Sequence, residues 1–116
     1  MGASLEVLGR KLSGRAPGFV LSGGGARGLA HIGVLDELQQ AGVRIDRVGG
    51  CSMGALVGAL FACGLEPDEI EARMREELVD RNPMNDYTIP LAALVRGRKA
   101  EAMLLRLFGD RQIEEL

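Results

Sequence analysis

The 116-residue chain has no tryptophan, one tyrosine and three phenylalanines. With so little aromatic surface it lacks the platforms on which bases stack in single-stranded nucleic-acid binding. It also lacks a charge excess: 14 Lys and Arg against 16 Asp and Glu leave a net charge of −2, which gives no global attraction to nucleic acid. Cysteine is scarce. Cys51 and Cys63 have no second pair and form no C-x-x-C, so neither a zinc site nor a dithiol redox motif is expected, only two reduced, buried thiols in a reducing compartment. Long apolar runs are missing. The longest, Ala55 to Leu65, is about half of the ~20 residues that span a bilayer, and two glycines interrupt it. Met1 to Arg15 has no continuous apolar core, so it does not read as a secretory leader, and Glu6 stands where N-myristoylation needs Ser or Thr.

What is present is the balance of a soluble globular protein, 47% apolar and 26% charged, at a length that suits one small domain. Seventeen glycines are many for that length, and they fall in clusters. Leu5, Leu8 and Leu12 at helical spacing, with Arg10, Lys11 and Arg15, predict a short basic amphipathic helix as a lead-in over residues 1–17. Phe19-Val20-Leu21 reads as a buried parallel strand, and Ser22 to Gly28 as a glycine loop. Leu29, Ile32, Leu35 and Leu38 mark a helix that Gly42 closes. Val43 to Val48 leads into a second strand ending at Gly49-Gly50. Met53 to Cys63 is apolar nearly all round and predicts a central, buried helix. Pro67, Asp68 and Glu69 suit the start of a further helix, with Ile70, Met74 and Leu78 as its buried stripe. Ala100, Met103, Leu104, Leu107 and Phe108 give a last amphipathic helix, stopped by Gly109. Strand, glycine loop, helix, strand, tight turn, helix is the order of an α/β protein with a parallel sheet.

Two motifs carry chemistry. Gly50-Cys51-Ser52-Met53-Gly54 is a G-x-S-x-G between a strand and an apolar helix. In a nucleophile elbow the serine sits in a strained conformation on so tight a turn that side chains two residues before and after it would collide, and glycine removes them. Ser52 is then presented at the carboxyl end of its strand, where α/β sheets place their sites. Gly23-Gly24-Gly25-Ala26-Arg27-Gly28 lies between the first strand and the first helix after it. Its glycines let main-chain N–H groups converge on an anion. One reading is an oxyanion hole. The rival is a dinucleotide phosphate loop, since Gly23, Gly25 and Gly28 fit G-x-G-x-x-G and Asp46 lies near the offset of a ribose-binding acid. A nucleotide site leaves the serine elbow unexplained. A P-loop is excluded because no Gly-Lys-Ser/Thr follows.

The stretch from Phe19 to Leu35 resembles the opening of patatin-like phospholipases, and Val48 to Leu60 resembles their nucleophile segment. The region from Asp86 to Leu116 is similar to the continuation in bacterial members and in the neuropathy-target-esterase branch. The resemblance covers about residues 18 to 116. It implies a three-layer α/β/α fold with a mostly parallel sheet, of which 18–116 is the N-terminal portion and therefore incomplete. It implies a serine lipid acyl hydrolase with Ser52 as nucleophile, Gly23, Gly24, Gly25, Ala26, Arg27 and Gly28 as oxyanion hole, a phospholipid or lysophospholipid substrate, and neither metal nor organic cofactor. The family's usual Thr before the nucleophile is Cys51 here. The family's base is an Asp in an Asp-Gly-Gly or Asp-Gly-Ala motif, and no Asp-Gly dipeptide occurs in this sequence. The expectation is a truncated catalytic domain, inactive alone. The competing classes are a lipid- or partner-binding remnant without turnover and a nucleotide-binding module. His31, the sole histidine, is expected to bond locally rather than serve a triad, and Arg27 to brace the loop or meet anionic headgroups. Asp36, Asp46, Asp68, Asp80, Asp86 and Asp110 are expected to be solvated or capping. Arg96-Gly97-Arg98-Lys99 and the basic lead-in are candidates for contact with an anionic membrane. A cytoplasmic chain with peripheral membrane association is the expected setting.

Overall fold

The computed structural model of the chain describes residues 2–80 and 98–116. These fall into two compact units, Met1–Pro67 and Asp68–Leu116.

The first unit opens with helix α1 (Gly2–Leu12), followed by strand β1 (Gly18–Leu21), a 3₁₀ turn (Gly25–Leu29), helix α2 (Ala30–Gln40), strand β2 (Arg47–Gly50) and helix α3 (Met53–Ala62). β1 and β2 pair in parallel, with Gly18 opposite Arg47 and Leu21 opposite Gly50. The fold class is therefore the expected α/β, with helices packed on a parallel sheet. Gly42 at φ 78° and Gly64 at φ 91° end α2 and α3 in the left-handed conformation that suits a helix stop. α3 lies close on the sheet. A β-carbon at Gly58 would stand 2.8 Å from Val48 Cγ1 and 3.4 Å from Leu21 Cδ1, so glycine sets that approach. Leu21, Leu35, Val57 and Leu60 are fully buried and form the core of this unit.

α3 is not buried all round, as its composition suggested. Gly54, Val57, Gly58 and Leu60 are buried, while Ala55 and Ala62 are exposed. Small side chains make both faces look apolar in sequence, but only one meets the sheet. The face of the sheet that carries Val20 is open among the described residues, and Val20 is 82% exposed.

α1 is tied to the unit by charge. The Arg10 guanidinium donates from Nε and from Nη2 to the two oxygens of Asp46, each at 2.7 Å. The Asp46 side chain is 5% exposed. The expectation of a solvated or capping Asp46 is corrected: a bidentate partner satisfies the carboxylate and lets it lie inside. Leu5, Leu8 and Leu12 are exposed, so the leucine stripe of α1 faces away from its tether.

The second unit contains most of helix α4 (Pro67–Arg75), a π-helical turn (Glu76–Asp80), helix α5 (Arg98–Phe108) and a short 3₁₀ turn (Ile113–Glu115). Ile70 and Met74 are buried as expected, but Leu78 is only half-buried and Glu77 takes the inward place. Position 77 is seven after Ile70 and three after Met74, so helical spacing puts it on the same face, and what the apolar stripe could not show is that an acid would fill that place. Glu77 accepts three hydrogen bonds from Arg106, the shortest 2.6 Å from Nη2. Met103 and Leu107 of α5 are buried, and Leu104 is exposed. The basic run from Arg96 to Lys99 and Asp86 lie outside the residues whose side chains are described.

Candidate active site

Ser52 occupies the turn between β2 and α3 with φ 53° and ψ −123°, the one positive φ of a non-glycine residue among those described. Such a conformation costs on the order of 1–3 kcal/mol and persists only where its surroundings enforce it. Those surroundings are visible. The Cys51 N–H donates to the Leu21 carbonyl at 3.0 Å, which extends the β1–β2 ladder to the elbow. The Gly54 N–H then donates to Cys51 O, and the Ala55 N–H to Ser52 O, each at 2.9 Å, starting α3 at once.

The two glycines of the pentapeptide are required for separate reasons. A β-carbon on Gly50 would collide with the carbonyl of Gly54, 2.6 Å from its carbon and 2.7 Å from Ala55 N. A β-carbon on Gly54 would collide with the end of β1, overlapping the Leu21 carbonyl oxygen. The clash is thus of each side chain with backbone, rather than of two side chains with each other.

Gly23 lies directly beside Ser52. A β-carbon there would stand 3.2 Å from Ser52 Cβ and 3.4 Å from Cys51 O. The parallel register, which sets Leu21 opposite Gly50, carries both segments off the sheet at the same end. Gly24 at φ 151° and Gly25 at φ 57° turn the loop into its 3₁₀ turn, conformations that side chains rarely adopt. The Arg27 N–H donates to Gly24 O at 3.2 Å, so that amide already has a partner within the loop. Ala26 and Arg27 are exposed, and Gly28 is buried where a β-carbon would lie 2.6 Å from Met53 Cβ and Cγ. The glycine loop and the elbow therefore touch at both ends, through Gly23 and through Gly28.

The serine is exposed, and among the described residues no hydrogen bond reaches its Oγ. His31 Nε2 instead meets the Ser22 carbonyl at 2.8 Å. Asp46, the acid that a dinucleotide site would turn toward a ribose, has both oxygens on Arg10. Cys51 is exposed and Cys63 half-buried, which corrects the expectation of two buried thiols: the elbow turns Cys51 out together with Ser52. His31 bonds locally, as expected, but neither its partner Ser22 nor the Arg10–Asp46 pair was foreseen in sequence. The His31 bond joins a side chain to a carbonyl nine residues earlier and the ion pair spans 36 residues, and no periodic pattern marks either.

The family model of patatin-like phospholipases matches residues 19–116. The chain belongs to the patatin-like phospholipase family. It is 48% identical over 110 residues to an uncharacterized NTE family protein of Mycobacterium tuberculosis, covering 95% of this chain and 19% of that protein. It is 41% identical over 113 residues to patatin-like phospholipase domain-containing protein 6 of Homo sapiens, covering 94% of this chain and 8% of that protein. It is 38% identical over 112 residues to Lysophospholipase nte1 of Aspergillus fumigatus, covering 93% of this chain and 7% of that protein. The chain thus spans about a fifth or less of the length of these curated relatives. No solved structure gives a significant match. Within the matched span lie the glycine loop, the elbow and His31.

Proposed function

We propose that this chain supplies the nucleophile and the oxyanion-holding loop of a serine lipid acyl hydrolase acting on phospholipid or lysophospholipid esters. The observation that carries this reading is Ser52 itself, exposed at φ 53° on a strand-to-helix turn with Gly23 against it. Ser52 Oγ attacks the ester carbonyl carbon, and the carbonyl π pair moves onto oxygen. Backbone N–H groups of the loop, led by Gly23 to Gly25, face that charge; in other enzymes one such donor is worth about 2.7–4 kcal/mol. The serine proton passes to the Asp of the family's Asp-Gly motif. This sequence holds no such dipeptide, so in this reading the base lies outside these 116 residues. Collapse of the intermediate expels the alcohol of the lipid, which takes the proton back, and water then hydrolyses the acyl-serine to a fatty acid and free Ser52. No metal or organic cofactor enters these steps. α1 offers the membrane contact: its outward leucines are bordered by Lys11 and Arg15, a pattern that suits an anionic surface.

A second reading, a lipid-binding half-domain without turnover, draws on the absence of any described partner for Ser52 Oγ. A fluorophosphonate probe separates the two. Labelling of a chain extended through the Asp-Gly motif, lost in Ser52→Ala, supports hydrolysis. Absence of labelling in the extended protein supports the remnant.

A further inference from the structure

We propose that His31 is a positioning residue for the oxyanion-holding backbone, an assignment that rests on the hydrolase reading above. A carbonyl oxygen only accepts, so the 2.8 Å contact with Ser22 O requires that His31 Nε2 carry the hydrogen and donate it. Both the neutral Nε2–H tautomer and the imidazolium meet that requirement. The Ser22 carbonyl is also hemmed in from the elbow: a β-carbon at Gly54 would stand 2.5 Å from that oxygen. The end of β1, the first turn of α2 and the start of α3 therefore converge on one oxygen atom.

That oxygen belongs to the peptide joining Ser22 to Gly23. In a trans peptide the C=O and the N–H lie in one plane and point in opposite directions. Fixing the Ser22 oxygen fixes the direction of the Gly23 N–H, and Gly23 is the residue in contact with Ser52. The need for a tether follows from the sequence. Three successive glycines have more conformational freedom than any other tripeptide, whereas an oxyanion hole works only if its donors are already aimed. The half-buried His31 ring, carried on a helix, supplies from outside the loop the order that the glycines cannot supply themselves.

The test uses the chain extended through the family's Asp-Gly motif, with His31→Ala, His31→Gln and Ser52→Ala. Gln is the conservative variant because its side-chain amide can donate from about the place of Nε2. His31→Ala is expected to lower kcat by at least about tenfold, short of the 10²–10³ typical of deleting an oxyanion donor outright. KM should change by less than about twofold, since the ground-state ester does not need the aimed N–H. Hydrogen exchange over residues 22–29 should quicken in His31→Ala. His31→Gln should recover most of the rate and the protection. A His31→Ala protein with unchanged kcat, or one whose glycine-loop exchange is unchanged, overturns the proposal. So does a His31→Gln protein as impaired as His31→Ala, which would point to packing of the ring. Ser52→Ala reports separately on the hydrolase reading: turnover that survives it removes that reading and this assignment together, whereas lost turnover with normal His31→Ala kinetics removes this assignment alone.

Discussion

Gly54 leaves no room for a side chain against Leu21: a β-carbon there would overlap the Leu21 carbonyl oxygen and stand 2.5 Å from its carbon. Both atoms are backbone of β1, so neither can swing aside. Gly54→Ala is therefore expected to destabilise the first unit by about 1–3 kcal/mol, the usual range for overpacking a well-filled interior. Gly33 is the control. It lies within α2 with open space where a β-carbon would go, so Gly33→Ala should stabilise by about 0.5–1 kcal/mol. Urea denaturation of both variants measures the contrast, and a Gly54→Ala protein as stable as the parent would contradict the close approach of elbow and strand.

These glycines also explain why so much of the site was legible in sequence. An elbow needs glycine at two fixed positions around Ser52, and a loop beside it needs glycine at Gly23 to Gly25, so backbone geometry is written directly into residue identity. Side-chain partnerships are not. Glu77 looks like one more surface acid until the fold brings Arg106 to it across 29 residues. Asp46 looks like a solvated acid until α1 brings Arg10 back to it across 36 residues. Both depend on where the chain returns in space, which one-dimensional periodicity does not encode.

The Arg10–Asp46 pair should make the attachment of α1 sensitive to acid. Hydrogen bonds from Arg10 hold the Asp46 carboxyl below its ordinary value of 3.8, against the opposing effect of desolvation. A lowered folded-state value means stability that is fully present above the ordinary value and is lost as pH falls through the lower, folded-state one. Parent and Asp46→Asn proteins should thus differ most near neutrality and converge as pH falls through the lowered, folded-state value. Tryptic cleavage at the exposed Arg15 at neutral pH tests the tether: faster cleavage of Asp46→Asn than of the parent is expected, and equal rates would deny it.

Glu77 and Arg106 make a different comparison. Glu77 is 4% exposed, and removing Arg106 would take three hydrogen bonds from a buried carboxylate. Glu71 and Arg75 form an exposed i, i+4 pair at 2.9 Å, the kind that contributes little. Arg106→Ala should therefore lower the thermal midpoint clearly, while Arg75→Ala should leave it near the parent value. Equal effects in calorimetry would mean that the Glu77 pair is solvated in solution.

Leu5, Leu8 and Leu12 are 63%, 50% and 80% exposed on one side of α1. If that stripe meets an anionic bilayer, the chain should cosediment with vesicles containing phosphatidylserine and less so with neutral ones, and added salt should weaken the binding. Leu8→Glu with Leu12→Glu should abolish it without touching the Arg10–Asp46 tether. Binding that survives the double substitution would place the contact elsewhere.

The last expectation joins activity to exposed surface. Ser52 is exposed on its turn, yet among the described residues no side chain reaches its Oγ, and the sequence offers no Asp-Gly motif. A serine without a base is a poor nucleophile at neutral pH, because its hydroxyl keeps its proton. The chain by itself should show no measurable turnover of short acyl esters and little reaction with fluorophosphonate. Val20 at 82% exposure and the outward leucines of α1 leave apolar side chains in water, so light scattering should show self-association that rises with concentration. Extension through the family's Asp-Gly motif should raise hydrolysis and lower scattering together, with Ser52→Ala abolishing the first and not the second. A monodisperse, 116-residue monomer with Ser52-dependent turnover would instead mean that a group within this chain takes the serine proton.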